Sequence, residues 1–187
     1  MSAEPSGAAH GECRPASSVA PGRHRPAGAS PASIRAMTAA DVSQVARNDA
    51  AGYEFPWSER IFADCLDAGY QSLVLEDGSG LIGHGIIAVA AGEAHVLNLC
   101  VVPAARRRGH ARRLLGEMLQ RAAGAGARRV FLEVRASNIG ALALYWRIGM
   151  RIIGRRDGYY PAAGGREDGL VLTLDMNLPQ ESHGLTE

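Results

Sequence analysis

The sequence predicts a single α/β domain, with helices flanking both faces of a mixed, largely antiparallel sheet. Three observations lead to this fold class. Short apolar or alternating runs predict strands, stripes of apolar residues at steps of three and four predict amphipathic helices, and the two kinds of segment are interspersed along the chain. With 187 residues, 47% of them hydrophobic, the chain is long and apolar enough for one hydrophobic core.

Seven strands are predicted in chain order. Each is a run of mostly apolar or alternating residues bounded by turn-forming residues such as Gly, Asp, Asn or Pro. Asp77-Gly78 between two such runs predicts a hairpin, and the segment between the last two strands predicts a polar, Gly-rich loop. The strands are expected at residues 33–37, 71–76, 81–90, 94–102, 129–135, 150–156 and 169–176.

Four helices are predicted from capping residues and apolar stripes. Thr38, with an acidic residue three positions later, predicts the start of the first helix, and Ser58 predicts the cap of the second. Apolar residues at steps of three and four over residues 111–122 predict one buried face of the third helix. The fourth helix is short, begins at Asn138 and is stopped by Gly149.

The composition argues against several classes of function. The formal net charge is +1, so we expect no global attraction to nucleic acid or to a membrane surface. The three cysteines, Cys13, Cys65 and Cys100, are odd in number and widely separated. They predict neither a disulfide framework nor a metal site, and they favour a reducing cytoplasm.

Both ends of the chain differ from its middle. Residues 1–31 are rich in Ala, Pro, Ser and Gly without a hydrophobic period, so we expect a disordered tail. Residues 179–187 are expected to form a second, short flexible end, which leaves residues 32–178 as the folded domain. We recognise no apolar run long enough to span a bilayer and no secretory signal in the sequence.

A glycine turn connects the fourth predicted strand to the third predicted helix. It carries the pattern Arg106-x-x-Gly109-x-Ala111. A turn of this kind points several main-chain N–H groups at one spot, with the positive end of the helix dipole behind them. Such an arrangement binds a phosphate or pyrophosphate without needing any particular side chain. The sequence therefore predicts an anion site at this turn.

Further motifs follow in a fixed order. They are Tyr53-Glu54-Phe55-Pro56-Trp57-Ser58, Leu132-Glu133-Val134-Arg135-Ala136-Ser137-Asn138, Ala143-Leu144-Tyr145 with Gly149-Met150, and Arg156-Asp157-Gly158-Tyr159-Tyr160-Pro161 with Gly165-Arg166-Glu167-Asp168. Together with the glycine turn, this order resembles the Gcn5-related N-acetyltransferases, and among them the RimI-like ribosomal-protein alanine N-acetyltransferases. The likeness runs from about Ile34 to Met176.

The resemblance implies that acetyl-coenzyme A is the acetyl donor. In this family, main-chain groups of a central strand pair with the pantetheine arm as if it were another strand, although an ordinary central strand would have the same side chains. Amides of the glycine turn would hold the pyrophosphate, and Asn138, expected to cap the fourth helix, is a further contact. The expected cofactor-binding residues are Leu99, Cys100, Val101, Arg107, Arg108, Gly109, His110, Ala111, Arg112 and Asn138, with no metal.

The resemblance also implies two catalytic residues. Glu133 alternates with apolar strand residues and so faces the other side of the sheet. It resembles the general base that accepts a proton from the incoming amine, while the residues alone also fit a carboxylate paired with an arginine. Tyr145 resembles the general acid for the departing coenzyme A, with a packed aromatic as the alternative. The residues expected beside a peptide groove are Phe55, Trp57, Tyr159 and Tyr160.

The implied function is acetyl transfer to a protein N-terminus by direct attack in a ternary complex. The most specific substrate is the N-terminal alanine of the eighteenth small-subunit ribosomal protein, with no direct nucleic acid or membrane partner. Two alternatives stay open: an acetyltransferase for other N-termini or small amines, and a coenzyme A-binding regulatory module without turnover. The presence of both Glu133 and Tyr145 argues against the module, because binding alone needs neither an acid nor a base.

Overall fold

The computed structural model describes residues 31–176, so the expected flexible ends lie outside the described residues, except for Pro31. The strands are β1 Ser33–Ala36, β2 Gln71–Asp77, β3 Gly80–Ala90, β4 Glu93–Val101, β5 Arg129–Arg135, β6 Arg151–Ala162 and β7 Gly165–Asp175. The helices are α1 Val42–Gly52, α2 Glu59–Asp67, α3 His110–Gly124 and α4 Ile139–Arg147. Within the described part of the chain, no helix has the length and apolarity needed to cross a membrane.

The strands form one sheet in the order β1-β2-β3-β4-β5-β7-β6. The neighbours β4 and β5 are parallel, and every other neighbouring pair is antiparallel. The connection from β4 to β5 contains α3, as a crossover between parallel neighbours requires. The predicted α/β fold with a mixed, largely antiparallel sheet is confirmed.

Helices pack on both faces of the sheet because successive strand residues point to opposite sides. In β2, Leu73 and Leu75 belong to the core that contains the α3 residues Leu114 and Met118. Val74, between them, belongs to the core that contains residues of α1 and α2. All five side chains are fully buried. The apolar stripe predicted for the third helix is therefore the face that α3 packs on the sheet.

The last two strands are longer than the sequence predicts. The segment expected to be a polar loop continues both strands, with Tyr160 opposite Glu167 and Ala162 opposite Gly165. The predicted loop is wrong because glycine, proline and charged residues disrupt buried strands, whereas β6 is an outer strand of the sheet. An outer strand has one edge without a partner and tolerates these residues.

The pairing of β4 with β5 stops partway along both strands. The last pair is Val96 opposite Leu132. At the same point β4 carries a bulge, because Val96 and Asn98 pair with consecutive residues of β3 and leave Leu97 as the extra residue. Beyond it β4 and β5 continue without pairing to each other. We call this gap between their C-terminal halves the β4–β5 opening.

An ion pair before α1 predicts how stability depends on pH. Both carboxylate oxygens of Asp41 accept hydrogen bonds from Arg35, at 2.7 and 2.9 Å, and one also accepts the Thr38 N–H at 2.8 Å. The hydrogen-bonded Arg35 guanidinium is the main reason that the pKa of Asp41 lies well below its ordinary value. The carboxylate therefore stabilises the fold above about pH 4, and this contribution is lost as the pH falls further.

We expect Asp41→Asn to lower the free energy of unfolding at pH 7 by about 1–3 kcal/mol, because the replacement removes the carboxylate that accepts two hydrogen bonds from Arg35 and leaves Arg35 with Glu76 as its carboxylate partner. The loss should be smaller at pH 3, where the wild type has also lost part of this stabilisation. Urea unfolding at the two pH values measures both, with Asp67→Asn as control, because Asp67 is exposed and forms no ion pair with another described residue. An equal loss at both pH values would contradict the assignment.

Candidate active site

The glycine turn forms a cradle of main-chain donors. Gly109 is the residue before α3 and has a φ of 83°, and Arg107 also has a left-handed φ, of 63°. Among the described residues, no acceptor is found for the N–H groups of residues 107–112. These consecutive donors lie at the positive end of the 15-residue helix α3. An anion such as a pyrophosphate fits this arrangement.

The arginines of the turn differ in what they contact. The Nε of Arg106 donates to the Val101 carbonyl at 2.9 Å, and its Nη2 donates to the Gly52 carbonyl at 3.1 Å. Arg106 therefore ties the turn to the ends of β4 and α1. The side chains that remain exposed around the cradle are those of Arg107, Arg108 and Arg112, whereas His110 and Ala111 are half-buried.

Main-chain groups of β4 alternate between the β3 side and the β4–β5 opening. The Val102 N–H donates to the carbonyl of Ile82 in β3 at 3.0 Å. Cys100 is two residues earlier in the same antiparallel register, so its main-chain groups point to the same side as those of Val102. The main chain of Cys100 therefore faces β3, which does not fit its expected contact with the pantetheine arm. The main-chain groups of Leu99 and Val101 face the opening.

Tyr53, the residue after α1, reaches β4 beside the opening. Its hydroxyl donates to the Leu99 carbonyl at 2.6 Å. Burial raises the pKa of Tyr53 above its ordinary value, and Cys100 and Tyr145 raise it further. Tyr145 therefore lies close enough to Tyr53 to influence its pKa, at the same end of the opening.

A buried polar network joins the elements around the opening. Asp49 of α1 is 1% exposed. Its Oδ1 lies 3.2 Å from the Nε2 of His84 and accepts from the Nδ2 of Asn98 at 3.2 Å, while its Oδ2 accepts the Trp57 N–H at 2.8 Å. One carboxylate thus links α1 to β3, to β4 beside its bulge, and to the α1–α2 loop. Cys100 lies in the same cluster, with its Sγ within 4.8 Å of ligand atoms of Asp49 and His84.

Glu133 lies in β5 and faces away from the core that contains Leu132 and Val134, as the alternation predicts. Its Oε1 forms an ion pair with the Nη2 of Arg156 at 2.9 Å. A hydrogen bond to Glu133 is the main reason that the pKa of Tyr159 is raised. The residue is therefore a strand carboxylate paired with an arginine, and it also lies just beyond the last β4–β5 pair, where the opening begins.

Tyr145 lies on α4 and is 7% exposed. Burial, and to a lesser extent the nearby Tyr160, raises its pKa to about 12. Burial and then Glu133 raise the pKa of Tyr160 to about 12, so Tyr160 is an electrostatic neighbour of both. The Oδ1 of Asn138 accepts the Ala141 N–H at 3.1 Å, which confirms that Asn138 caps α4.

Aromatic residues of two segments meet near Glu133. The guanidinium of Arg135 lies between the ring of Phe55 in the α1–α2 loop, at 5.3 Å, and the ring of Tyr160 in β6, at 4.6 Å. Trp57 instead packs against Phe62, with ring centroids 5.5 Å apart, at the edge of the core between the sheet and α2. The position of Trp57 therefore fits packing better than the expected substrate contact.

The structure brings most of the predicted site residues to one end of the sheet, around the β4–β5 opening. Sequence reasoning missed three residues there, namely Asp49, Tyr53 and Arg156. Tyr53 and Arg156 begin two of the motifs, and this is the one signal they gave. Asp49 gave none, because a single acidic residue in a helix usually faces water.

Comparison with known proteins gives consistent matches. Residues 39–150 match the family described as Acetyltransferase (GNAT) family. The [ribosomal protein bS18]-alanine N-acetyltransferase of Escherichia coli is 31% identical over 145 residues, which cover 78% of this chain and 98% of that protein. The crystal structure of the ribosomal-protein-S18-alanine N-acetyltransferase from Escherichia coli has a TM-score of 0.75 at 30% identity, covering 81% of this chain and 97% of that one. Arabidopsis thaliana NAA60 in complex with acetyl-CoA shares the fold, with a TM-score of 0.72 at 22% identity, covering 79% of this chain and 100% of that one.

Proposed function

Because this chain belongs to the GNAT family of acetyltransferases, we propose that it acetylates the N-terminal α-amine of a protein, with the N-terminal alanine of the eighteenth small-subunit ribosomal protein as its substrate. One observation carries the proposal: the opening beside β4 has a donor cradle at α3, a carboxylate on β5 and a buried phenol on α4. The proposed reaction takes place in the cytoplasm, where ribosomal proteins are made.

The residues around the opening fit acetyl-coenzyme A. The free N–H groups of residues 107–112 suit its pyrophosphate. The carbonyls of Leu99 and Val101 already accept Tyr53 and Arg106, so it is the N–H groups of these two residues that suit the carbonyls of its pantetheine arm. A hydrogen bond to a charged group contributes roughly 1.5–3 kcal/mol. Four such bonds contribute about 6–12 kcal/mol before the cost of association, so they supply most of a micromolar affinity of about −8 kcal/mol. Bound there, acetyl-coenzyme A supplies an activated acetyl group as a thioester.

Glu133 is proposed to accept the proton of the incoming α-amine, directly or through water. The energetic demand on it is modest. An N-terminal amine has a pKa of about 8, so roughly a tenth of it is already neutral at pH 7. Deprotonating the rest costs only about 1.4 kcal/mol, which one carboxylate at the opening can supply. The neutral amine then attacks the thioester carbonyl, and no acyl-enzyme is needed.

Tyr145 is proposed to donate a hydrogen bond to the sulfur of the leaving coenzyme A. With its pKa raised to about 12, the phenol is a much weaker acid than a thiol of pKa about 8.5. Transfer of the phenol proton to the finished thiolate is therefore uphill by roughly 5 kcal/mol. We infer that the hydroxyl stabilises the developing thiolate by hydrogen bonding and keeps its proton, and that the released thiolate takes its proton from water.

We expect Glu133→Gln to lower kcat at pH 7 by about 10- to 100-fold and to move the rate maximum to higher pH, where the amine is neutral without a base. The measurement is the pH–rate profile with a peptide that has a free N-terminus. Glu117→Gln is the control, because Glu117 also pairs with one arginine but lies on α3. A profile that keeps its shape in Glu133→Gln would remove Glu133 from the mechanism.

The proposed function is tested by mass spectrometry of N-terminal peptides from cells with and without this protein. We expect the N-terminal alanine of the ribosomal protein to lose its acetyl group when the protein is absent. Loss of acetyl groups from many unrelated N-termini would show a broader enzyme. An unchanged set of N-termini, together with no transfer to peptides in vitro, would favour the regulatory module.

A further inference from the structure

Arg156 reaches Glu133 across an intervening strand. The two residues lie on β6 and β5, with β7 between them, and Gly169 of β7 is the pairing partner of Arg156. A methyl group at Gly169 would lie 3.1 Å from Tyr159 and 3.2 Å from Tyr160. Because Gly169 has no side chain, the side chains of β6 can cross this part of β7 toward β5.

A bulge in β6 directs a second side chain to the same carboxylate. After Arg156 the register shifts, because four steps along β6 correspond to two along β7. Gly158 lies in the bulge with a φ of 55°, which glycine adopts readily, and its N–H donates to Asp168 at 2.8 Å. Tyr159 follows, and its hydroxyl lies close enough to Glu133 for that carboxylate to raise its pKa. A bulge beside a site commonly re-aims a side chain in this way.

The ion pair between Arg156 and Glu133 is accessible from solvent. Their side chains are 54% and 28% exposed, and the Arg156 guanidinium also lies 5.0 Å from the centroid of the Tyr159 ring. A partly exposed ion pair contributes little to stability, so this one is not needed to hold the fold. Among the described residues, three neighbours of Glu133 lie on β6, namely Arg156, Tyr159 and Tyr160. Arg135 of β5 lies over the Tyr160 ring. The residue of β7 that pairs with Glu133 is the apolar Val171.

We propose that Arg156 is a positioning residue for the acetyl acceptor, the α-amine of a protein N-terminus. Its positive charge disfavours the ammonium form of that amine beside Glu133, so the amine is presented as a neutral nucleophile. The inference rests on the proposed function, because it assumes an α-amine substrate. At pH 7 about nine-tenths of an N-terminal amine is ammonium. A fixed cation beside the same carboxylate lowers the pKa of the bound amine. The released proton passes to Glu133 or through it to water, and Arg156 keeps its own protons throughout.

The test is the pH dependence of acetyl transfer to a peptide with a free N-terminal alanine. We expect Arg156→Gln to move the rising limb of the kcat profile to higher pH by about half to one unit. The limb of the kcat/KM profile that belongs to the free peptide should not move, because that profile reports the free reactants. Arg156→Lys keeps a cation and should restore the wild-type kcat profile.

Arg151→Gln is the matched control, since Arg151 is an exposed, ion-paired arginine near the other end of β6. It should leave both profiles unchanged. An unmoved kcat profile in Arg156→Gln, with acetyl transfer retained, would overturn the inference and leave the proposed function standing. A lower KM for the peptide with an unmoved kcat profile would also overturn it, because Arg156 would then only compete with the ammonium for Glu133. Failure of the wild type to acetylate any α-amine would instead contradict the proposed function.

Discussion

Tyr145→Phe is expected to lower kcat by roughly 10- to 1000-fold while changing the Kd of acetyl-coenzyme A by less than about twofold. The replacement removes one hydroxyl group from a side chain that is 7% exposed and otherwise keeps its packing. The effect should therefore be confined to the step in which the sulfur departs.

The measurement combines steady-state kinetics with calorimetric titration of acetyl-coenzyme A. Tyr70→Phe removes a hydroxyl from an exposed tyrosine outside the site and is the matched control, with no expected change in either quantity. A tenfold weaker Kd with an intact kcat in Tyr145→Phe would assign the residue to packing of the bound cofactor. The proposed role as hydrogen-bond donor to sulfur would then be wrong.

Gly109→Asp is expected to weaken acetyl-coenzyme A binding by roughly 30- to 100-fold, because it places a negative charge in the donor cradle beside the pyrophosphate. The fold should tolerate the change. A Cβ at Gly109 would have no heavy atom within 4 Å, and aspartate is among the residues that adopt a positive φ most readily. The left-handed φ of Gly109 should cost the variant about 1–2 kcal/mol of stability or less. The variant should thus remain folded while it binds less well.

Gly109→Asn provides the comparison that isolates charge from size. Asparagine has nearly the same shape and adopts a positive φ about as readily as aspartate. Calorimetry should show a much smaller loss of affinity than for Gly109→Asp, and thermal unfolding should show both variants folded. Equal losses in the two variants would mean that space rather than charge decides binding at this turn.

The fold followed from the sequence wherever local patterns matched the final environment. The alternation around Glu133 predicted its face of the sheet, and the stripe ending at Ala122 predicted the buried face of α3. The glycine turn predicted a helix N-terminus with free donors. These features depend on residues close together in the chain, so their physical signals are present in the sequence itself.

The features that could not be predicted depend on pairing between distant segments. The bulge at Leu97 exists only through the register of β3 and β4. The hairpin of β6 and β7 has the composition of a loop and is stable because an outer strand tolerates it. The contact of Arg156 with Glu133 requires β7 to lie between their strands and Gly169 to lack a side chain. No periodicity in the sequence reports these non-local relations.

The central claim is most directly tested by a crystal structure of the protein bound to a conjugate of coenzyme A and an N-terminal alanine peptide. The proposal predicts the pyrophosphate on the amides of residues 107–112 and the sulfur near the Tyr145 hydroxyl. It also predicts the alanine nitrogen within reach of Glu133, directly or through one water. A conjugate bound elsewhere, or a sulfur far from both Glu133 and Tyr145, would contradict the proposed site and its mechanism.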